Sequence, residues 1–449
     1  MSKKVFYLVL LLILSLGLTL RWRNLGNVPL PGQSQDEYSN AWVGLSIIES
    51  GVPVGMSGMK AYPVQKRVYI NPDRIFQQSA SGDATTLNYP WFDHPPLVPL
   101  ITGGFAYFKG ARVFEDVSAI TIRKPVAALS AVTIALIGIL ASQLFGPAVG
   151  LFAALFYAIA PLTTVMNRMV QAENFFVPLG LFSLLCFFRF SKAKEKWWWY
   201  LGVAGLMAGV LVKLSFIAFV VAAILLLKQT VKKSWPWVTA GIFVLAALSW
   251  WVIYGLALSP STFANVLLSN SERAYGIGYQ AVADLVTTVK VTGTKTIADG
   301  WVLASFLGMI ALMASEEKNK RWIVLPFLSY LSIFLFFGGE SFGWYRLPFF
   351  PFTFIALGYL TVELVKKANP SGLLLFLVPL GVSATRVIPT DGIWLVGWRI
   401  IPMAIVLIGY LVSDKRVNRL ILATLVAVAV LVSVIYNLKI DVSLWYKIS

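Results

Sequence analysis

The sequence predicts an all-α polytopic membrane protein, one membrane-embedded domain over residues 1–449, and three observations predict it. Of its residues 58% are hydrophobic and only 13% charged, whereas charged residues make up about a quarter of a soluble domain. Mean hydropathy is +0.76. Apolar runs recur from Val5 to Leu438, long enough for helical spans of roughly 20 residues and unlike the alternating strands of about ten in a transmembrane barrel. Lys and Arg are concentrated in clusters between those runs, as in short cytoplasmic loops. The net charge of +17, from 37 Lys and Arg against 20 Asp and Glu, is therefore read loop by loop, and no nucleic-acid partner is expected. One cysteine, Cys186, excludes an intrachain disulfide, and one histidine, His94, excludes a histidine-rich metal cage.

Residues Met1 to Leu20 begin with Lys3 and Lys4, continue as an apolar run and lack a small-residue cleavage site; Arg21-Trp22-Arg23-Asn24 comes instead. It reads as an uncleaved span with a cytoplasmic N-terminus, the chain emerging outside near Trp22. The external loop 22–94 follows, the longest hydrophilic stretch in the chain. Within it Gln35-Asp36-Glu37-Tyr38 precedes Ala41, Trp42, Leu45, Ile47 and Ile48 at near-helical spacing, closing at Glu49-Ser50-Gly51 before Pro53: a helix lying on the membrane surface. Pro95 to Phe108 is short and broken by Pro95-Pro96, Pro99 and Gly103-Gly104, as suits a re-entrant or surface-lying element.

Ala127 to Leu144 then descends from outside, leaving Arg123 and Lys124 external; Ala148 to Thr163 rises from an inside turn at Phe145-Gly146-Pro147; and Phe175 to Phe188 enters from outside, leaving Arg168, Gln171, Glu173 and Asn174 external. Arg189 with Lys192, Lys194 and Lys196, then Lys228, Lys232 and Lys233, then Lys318, Lys320 and Arg321, then Lys366 and Lys367, then Lys415, Arg416 and Arg419 mark successive cytoplasmic turns. The external turns between them lie near Lys213, in a second external loop 259–296, and near 338–344 and 386–392. The pattern predicts about thirteen spans, with no separate soluble domain after the last. Trp197-Trp198-Trp199-Tyr200, beside a basic cluster, reads as an interfacial anchor.

Few charges fall at mid-span, which disfavours ion-coupled transport, and the chemistry is expected on the long external loop. Asp36 and Glu37 form an acidic pair at a helix start, where capping and the helix dipole are the alternative reading. Asp93-His94-Pro95-Pro96-Leu97 closes the loop where the chain meets the membrane again, where polar loop-ending groups are the plain alternative.

Asp36-Glu37 after the first span, Asp93-His94-Pro95-Pro96-Leu97, Asn167-Arg168 through Gln171-Ala172-Glu173-Asn174, Ala208-Gly209 through Lys213-Leu214-Ser215, and Trp344-Tyr345-Arg346-Leu347-Pro348-Phe349-Phe350-Pro351 together resemble the polyprenyl-phosphate-sugar-dependent glycosyltransferases of the GT-C superfold. The protein O-mannosyltransferases and the aminoarabinose transferases that modify lipid A are the families it is most similar to. Two departures stand out. The aminoarabinose transferases carry a Lys after the acidic residue of the second motif, where this chain has His94, and end in a large external domain; the mannosyltransferases carry a large lumenal insert that this chain lacks.

The resemblance implies a GT-C-type bundle in the plasma membrane with its active site on the external face. It implies transfer of a hexosyl or pentosyl group, with inversion, from an external-facing polyprenyl-phosphate donor to a hydroxyl of a cell-surface glycan, lipid or protein. Such a transfer needs a base for the incoming hydroxyl and cations for the leaving phosphate. By resemblance Asp36 is the base, Glu37, Asp93 and His94 lie at the acceptor or beside a metal, and Glu37 and Asp93 have holding Asp36 in place as the alternative. Arg168, Lys213, Tyr345 and Arg346 hold the donor phosphate, with snorkelling at span ends as the alternative for the cations; Glu173 and Arg273 are further candidates. Should a divalent metal ion take part, Asp36, Asp93 and His94 are its expected ligands. Rival readings are a lipid-diphosphate-dependent glycan polymerase or ligase, and a lipid or solute transporter.

Overall fold

In hydrocarbon every backbone N–H and C=O must find its partner inside its own segment, so the apolar runs fold as helices. The protein is seen here as a computed structural model that describes residues 1–62, 66–68, 85–272, 278, 282–283, 285, 290–292, 295–337, 343–388, 392–412 and 414–447. Helix α1 (Lys3–Trp22) is followed by α2 (Gln35–Ser50), a short antiparallel ribbon of β1 (Lys66–Val68) and β2 (Thr85–Leu87), and α3 (Leu97–Phe108). Next come α4 (Ala119–Phe145), α5 (Pro147–Ile159), the single turn α6 (Pro161–Met166), α7 (Ala172–Ala193) and α8 (Lys196–Val210). The second half holds α9 (Ile217–Thr230), α10 (Trp235–Leu258), α11 (Pro260–Ser271), α12 (Gly300–Ala314), α13 (Arg321–Phe337), α14 (Phe350–Lys367), α15 (Ser371–Ala384), α16 (Gly392–Leu411), α17 (Lys415–Lys439) and the short α18 (Val442–Lys447).

Among the described residues five helices, α1, α4, α7, α10 and α17, are long and apolar enough to cross a membrane, and seven further apolar helices are shorter. Helix length alone therefore does not reproduce the expectation of about thirteen spans. The core is built around α14, which packs on α5 and α12; α7 pairs with α8, and α15 with α17.

Two ends of the bundle are distinguishable by their contacts. At one, Arg21 meets Asn167, Asn24 meets Ile440, Leu97 meets Leu211, Leu162 meets Asp299 and Lys213 meets Glu173. At the other, Arg189 meets Gln143, Asn319 meets Leu144, Trp199 meets Pro236 and Arg419 meets Lys366. The segments read as external thus gather at the first end and the basic clusters at the second.

The surface helix expected at 35–50 is α2, and it stops where the sequence says it should: Gly51 adopts φ +74°, a left-handed C-cap that a side chain would strain. It does not merely float on the surface. Ala41, Trp42, Val43 and Leu45 are buried, because α2 packs directly against α3. The two backbones touch at Gly44 and Gly103: a Cβ on Gly44 would lie 1.8 Å from the Pro99 carbonyl oxygen, and one on Gly103 2.3 Å from the Leu45 nitrogen. Small residues permit that approach and larger ones forbid it. A satellite core of Val43, Met59, Tyr62, Trp91, Phe92, Trp251 and Phe263 then joins α2, Met59, Tyr62 and the Trp91–Phe92 end of the loop to α10 and α11.

Candidate functional site

The first turn of α2 is held from several directions. Ser34, its N-cap residue, accepts the side-chain amide of Gln171 at 2.6 Å. Glu37 turns inward and is fully buried: Arg123 of α4 donates from Nε and Nη2 to its two oxygens at 2.8 and 2.7 Å, and the Val170 N–H reaches Oε1 at 3.1 Å. Arg123 Nη1 also binds the carbonyls of Leu25 and Pro29. So engaged, Glu37 braces the first turn of α2, the turn that also carries Asp36. Asp36 precedes it on the helix and, unlike Glu37, remains partly exposed.

Opposite that turn stands Lys213, in the break between α8 and the 3-10 turn Leu214–Phe216. Its ammonium pairs with Glu173, the second residue of α7, at 2.5 Å, and lies 4.5 Å from the Tyr345 ring centroid. Burial alone would lower the Lys213 pKa; Glu173, Tyr345 and the nearby Asp36 carboxylate overcome it and raise the pKa instead. Glu173 is fully buried, and its second oxygen makes no hydrogen bond among the described residues. Tyr345 and the fully buried Arg346 share the turn Gly343–Arg346, and the Tyr330 hydroxyl supports that turn from α13 by donating to the Tyr345 carbonyl at 3.4 Å. Asp36, Glu173, Lys213 and Tyr345 are thus brought together from four separate stretches of sequence.

Arg168, expected at the donor phosphate, is held by backbone carbonyls. Its guanidinium is fully enclosed, with Nη1 and Nη2 directed at the carbonyls of Val28 and Leu20 at 3.3 and 2.8 Å. It joins the end of α1 and the residues after it to the α6–α7 link. Nor does Glu173 pair with it. Burial, with repulsion from Arg21, Arg123 and Arg23, lowers the Arg168 pKa to about 9, so the group stays charged at neutral pH. Arg21, also buried, binds the carbonyls of Gly17, Tyr157 and Ala158 and the Asn167 side chain. Arg21, Arg123, Arg168 and Arg346 are all fully buried, against the two equally buried carboxylates of Glu37 and Glu173.

Asp93 accepts the Tyr62 hydroxyl at 2.6 Å, and the same hydroxyl receives the Phe92 N–H at 2.7 Å. Burial and the Asp93 carboxylate raise the Tyr62 pKa well beyond its usual range. His94 stacks edge-on against Trp91 at 6.0 Å. Among the described residues no three His, Cys, Asp or Glu side chains form a metal-holding group, so Asp36, Asp93 and His94 are not gathered into one. Arg273 lies outside the described residues.

Beside the Lys213 cluster an apolar cavity of about 380 Å³ runs between α3, α4, α7 and α8, lined by Leu97, Leu136, Phe175, Pro178, Phe182 and Val212 among others. Val212 adjoins Lys213 in sequence, and Phe175 follows Glu173 by two residues. A larger cavity of about 950 Å³, lined by Asn24, Asn27, Tyr38, Lys109, Glu115 and neighbouring residues, opens between the end of α1 and the start of α4.

Sequence reasoning noted Arg21 and Arg123 only as markers of sidedness and passed over Tyr62 and Tyr330. The available signal was an arginine at each of two span ends near an acidic pair, which does not say which cation meets which carboxylate.

Residues 93–254 match the family described as dolichyl-phosphate-mannose-protein mannosyltransferase. No curated protein matches the chain by sequence. Among solved structures the chain is similar to ArnT from Cupriavidus metallidurans in the apo state, with 16% identity over 97% of this chain and 76% of that one and a TM-score of 0.58. It is also similar to ArnT bound to undecaprenyl phosphate, with 14% identity, 95% and 77% coverage and a TM-score of 0.54. The arabinosyltransferase EmbB from Mycobacterium smegmatis matches at 12% identity over 98% of this chain and 40% of that one, TM-score 0.56. The oligosaccharyltransferase of Archaeoglobus fulgidus matches at 11% identity over 97% and 56%, TM-score 0.52. These are GT-C polytopic membrane proteins, and the chain has their fold.

Proposed function

We propose that the protein is a membrane glycosyltransferase that moves a sugar from a polyprenyl-phosphate donor to a hydroxyl of a cell-surface glycan, lipid or protein. The observation that carries this reading is the convergence of Asp36 with the Lys213–Glu173 pair and Tyr345 at the loop end of the bundle, beside a cavity with wholly apolar walls. A carboxylate for the incoming hydroxyl, a cation for the phosphate and an apolar channel for the lipid are what the transfer requires. The match to a family named for dolichyl-phosphate-mannose and the likeness to a structure solved with undecaprenyl phosphate support the same donor class.

In this reading the prenyl chain lies along α3, α4, α7 and α8, and its phosphate meets Lys213, with Arg346 and Tyr345 on the neighbouring turn. Asp36 accepts the proton of the acceptor hydroxyl, and the freed oxygen attacks the anomeric carbon from the face opposite the phosphate. The bond from that carbon to the phosphate oxygen breaks, its electron pair leaves on the polyprenyl phosphate, and the anomeric configuration inverts. Lys213, with Arg346 on the neighbouring turn, favours the extra charge on the leaving group. The loop end is taken as external, with the N-terminus cytoplasmic, because the basic clusters gather at the other end.

The test is transfer of labelled sugar in membranes loaded with polyprenyl-phosphate hexose or pentose, comparing wild type with Asp36→Asn at equal expression. A new labelled product with wild type alone supports donor class and base together. Transfer only from lipid-diphosphate donors would replace the reading by that of a polymerase or ligase. Movement of an unmodified substrate, indifferent to Asp36→Asn, would replace it by transport.

A further inference from the structure

The segment after α17 folds back over the start of α2. Asp441 restarts the chain as α18 by accepting the Leu444 N–H at 2.9 Å and the Ser443 hydroxyl at 2.8 Å. The turn carries Trp445 to a residue 412 positions earlier: its indole N–H donates to Gln33 Oε1 at 2.7 Å. Trp445 is completely buried, and nearby the Asn24 amide donates to the Ile440 carbonyl at 3.1 Å. Gln33 immediately precedes Ser34, the N-cap of α2, and Asp36 lies on the first turn. The other anchors of that turn, Gln171 on Ser34 and Arg123 with Val170 on Glu37, come from α4 and the α6–α7 link. Of these contacts, the Trp445 bond comes from α18.

A buried indole N–H needs its acceptor, so the bond ties Gln33 and Trp445 to each other in both directions. We infer that Gln33 and Trp445 are positioning residues: their hydrogen bond fixes the chain entering α2 and so the direction of the Asp36 carboxylate. This rests on the reading of Asp36 as the base. A base held slightly out of line loses rate steeply while ground-state binding of a donor held by Lys213 is unaffected.

The experiment uses the full chain in lipid nanodiscs and four variants: Trp445→Phe, which keeps an aromatic ring but has no N–H; Gln33→Leu, which has no acceptor; Gln33→Glu, whose carboxylate still accepts; and the Trp445→Phe/Gln33→Leu pair. Amide hydrogen exchange over residues 30–42 and initial transfer rates are both measured. Trp445→Phe and Gln33→Leu are expected to speed exchange in the first turn of α2 roughly tenfold and to lower kcat about tenfold at unchanged donor KM. Gln33→Glu should behave as wild type, and the double variant should be no worse than either single one. Unchanged exchange in both single variants overturns the inference, and so does faster exchange with kcat intact. If wild type transfers no sugar from polyprenyl phosphates, the proposed activity fails by itself, and the exchange comparison still decides whether the tail fixes α2.

Discussion

Adjacent acidic residues on α2 do unlike work. Glu37 is closed into an ion pair with Arg123 that has no exposed surface, while Asp36 stays partly exposed beside the Lys213 cluster. Breaking a buried pair leaves one charge uncompensated, at about 3–5 kcal/mol. Glu37→Gln should therefore lower thermal stability sharply in a detergent melt, whereas Asp36→Asn should leave the melt unchanged and abolish transfer; the opposite pattern would exchange their roles. Lys213 permits a finer separation. Lys213→Met strands the buried Glu173 carboxylate, so it should lose both stability and donor affinity, the latter by about 10–100-fold as a lost charged contact. Adding Glu173→Gln should restore the melting temperature without restoring donor KM, and recovery of both would show that Lys213 has only a structural role. Residue types and places were legible in the sequence: Asp36, Glu173, Lys213 and Tyr345 were all candidates before the fold was known. Partners were not, because Arg123 and Glu37 are 86 positions apart and several external cations compete for each carboxylate on paper.

At the scale of elements, the α2–α3 pair sets where the acidic turn sits. Gly44→Ala drives a methyl into the Pro99 carbonyl, backbone that has little room to retreat, and should destabilise by about 1–3 kcal/mol or more. Protease nicking of loop 22–94 at temperatures where wild type resists would report it; a variant as resistant as wild type would contradict the close approach. Asp299, which caps α12, links that helix to α6 through the Leu162 N–H. Burial raises its pKa to about 6, against the pull of three backbone N–H groups. A folded-state value above the unfolded one means the native state binds the extra proton, so this group's contribution to stability is present at low pH and lost as pH rises from about 4 to 6. Melts of wild type minus Asp299→Asn should show that decline across the same window, and a flat difference would contradict it. The start and stop of α2 were legible from Gln35 to Gly51, and so was the short, broken character of 95–108. Its partner was not, since two glycines in separate segments carry no sign that they face each other.

At the scale of the whole molecule, the alternation of apolar runs and Lys/Arg clusters already separates two ends, and the fold gathers those ends as the alternation requires. The number of spans is less legible, because α3, α5, α12 and other apolar helices are shorter than a bilayer demands of a straight helix. Distance along the chain hid the rest: the tail that reaches Gln33 and the turn that brings Tyr345 to Lys213 are joined by three-dimensional packing alone. In the proposed function the loop end of this bundle transfers sugar from a polyprenyl phosphate with Asp36 as base. The most direct measurement is labelled-sugar transfer from polyprenyl-phosphate donors by wild type and by equally expressed, equally stable Asp36→Asn. A labelled product of inverted anomeric configuration is expected with wild type and none above background with the variant. Equal transfer by both proteins would contradict it.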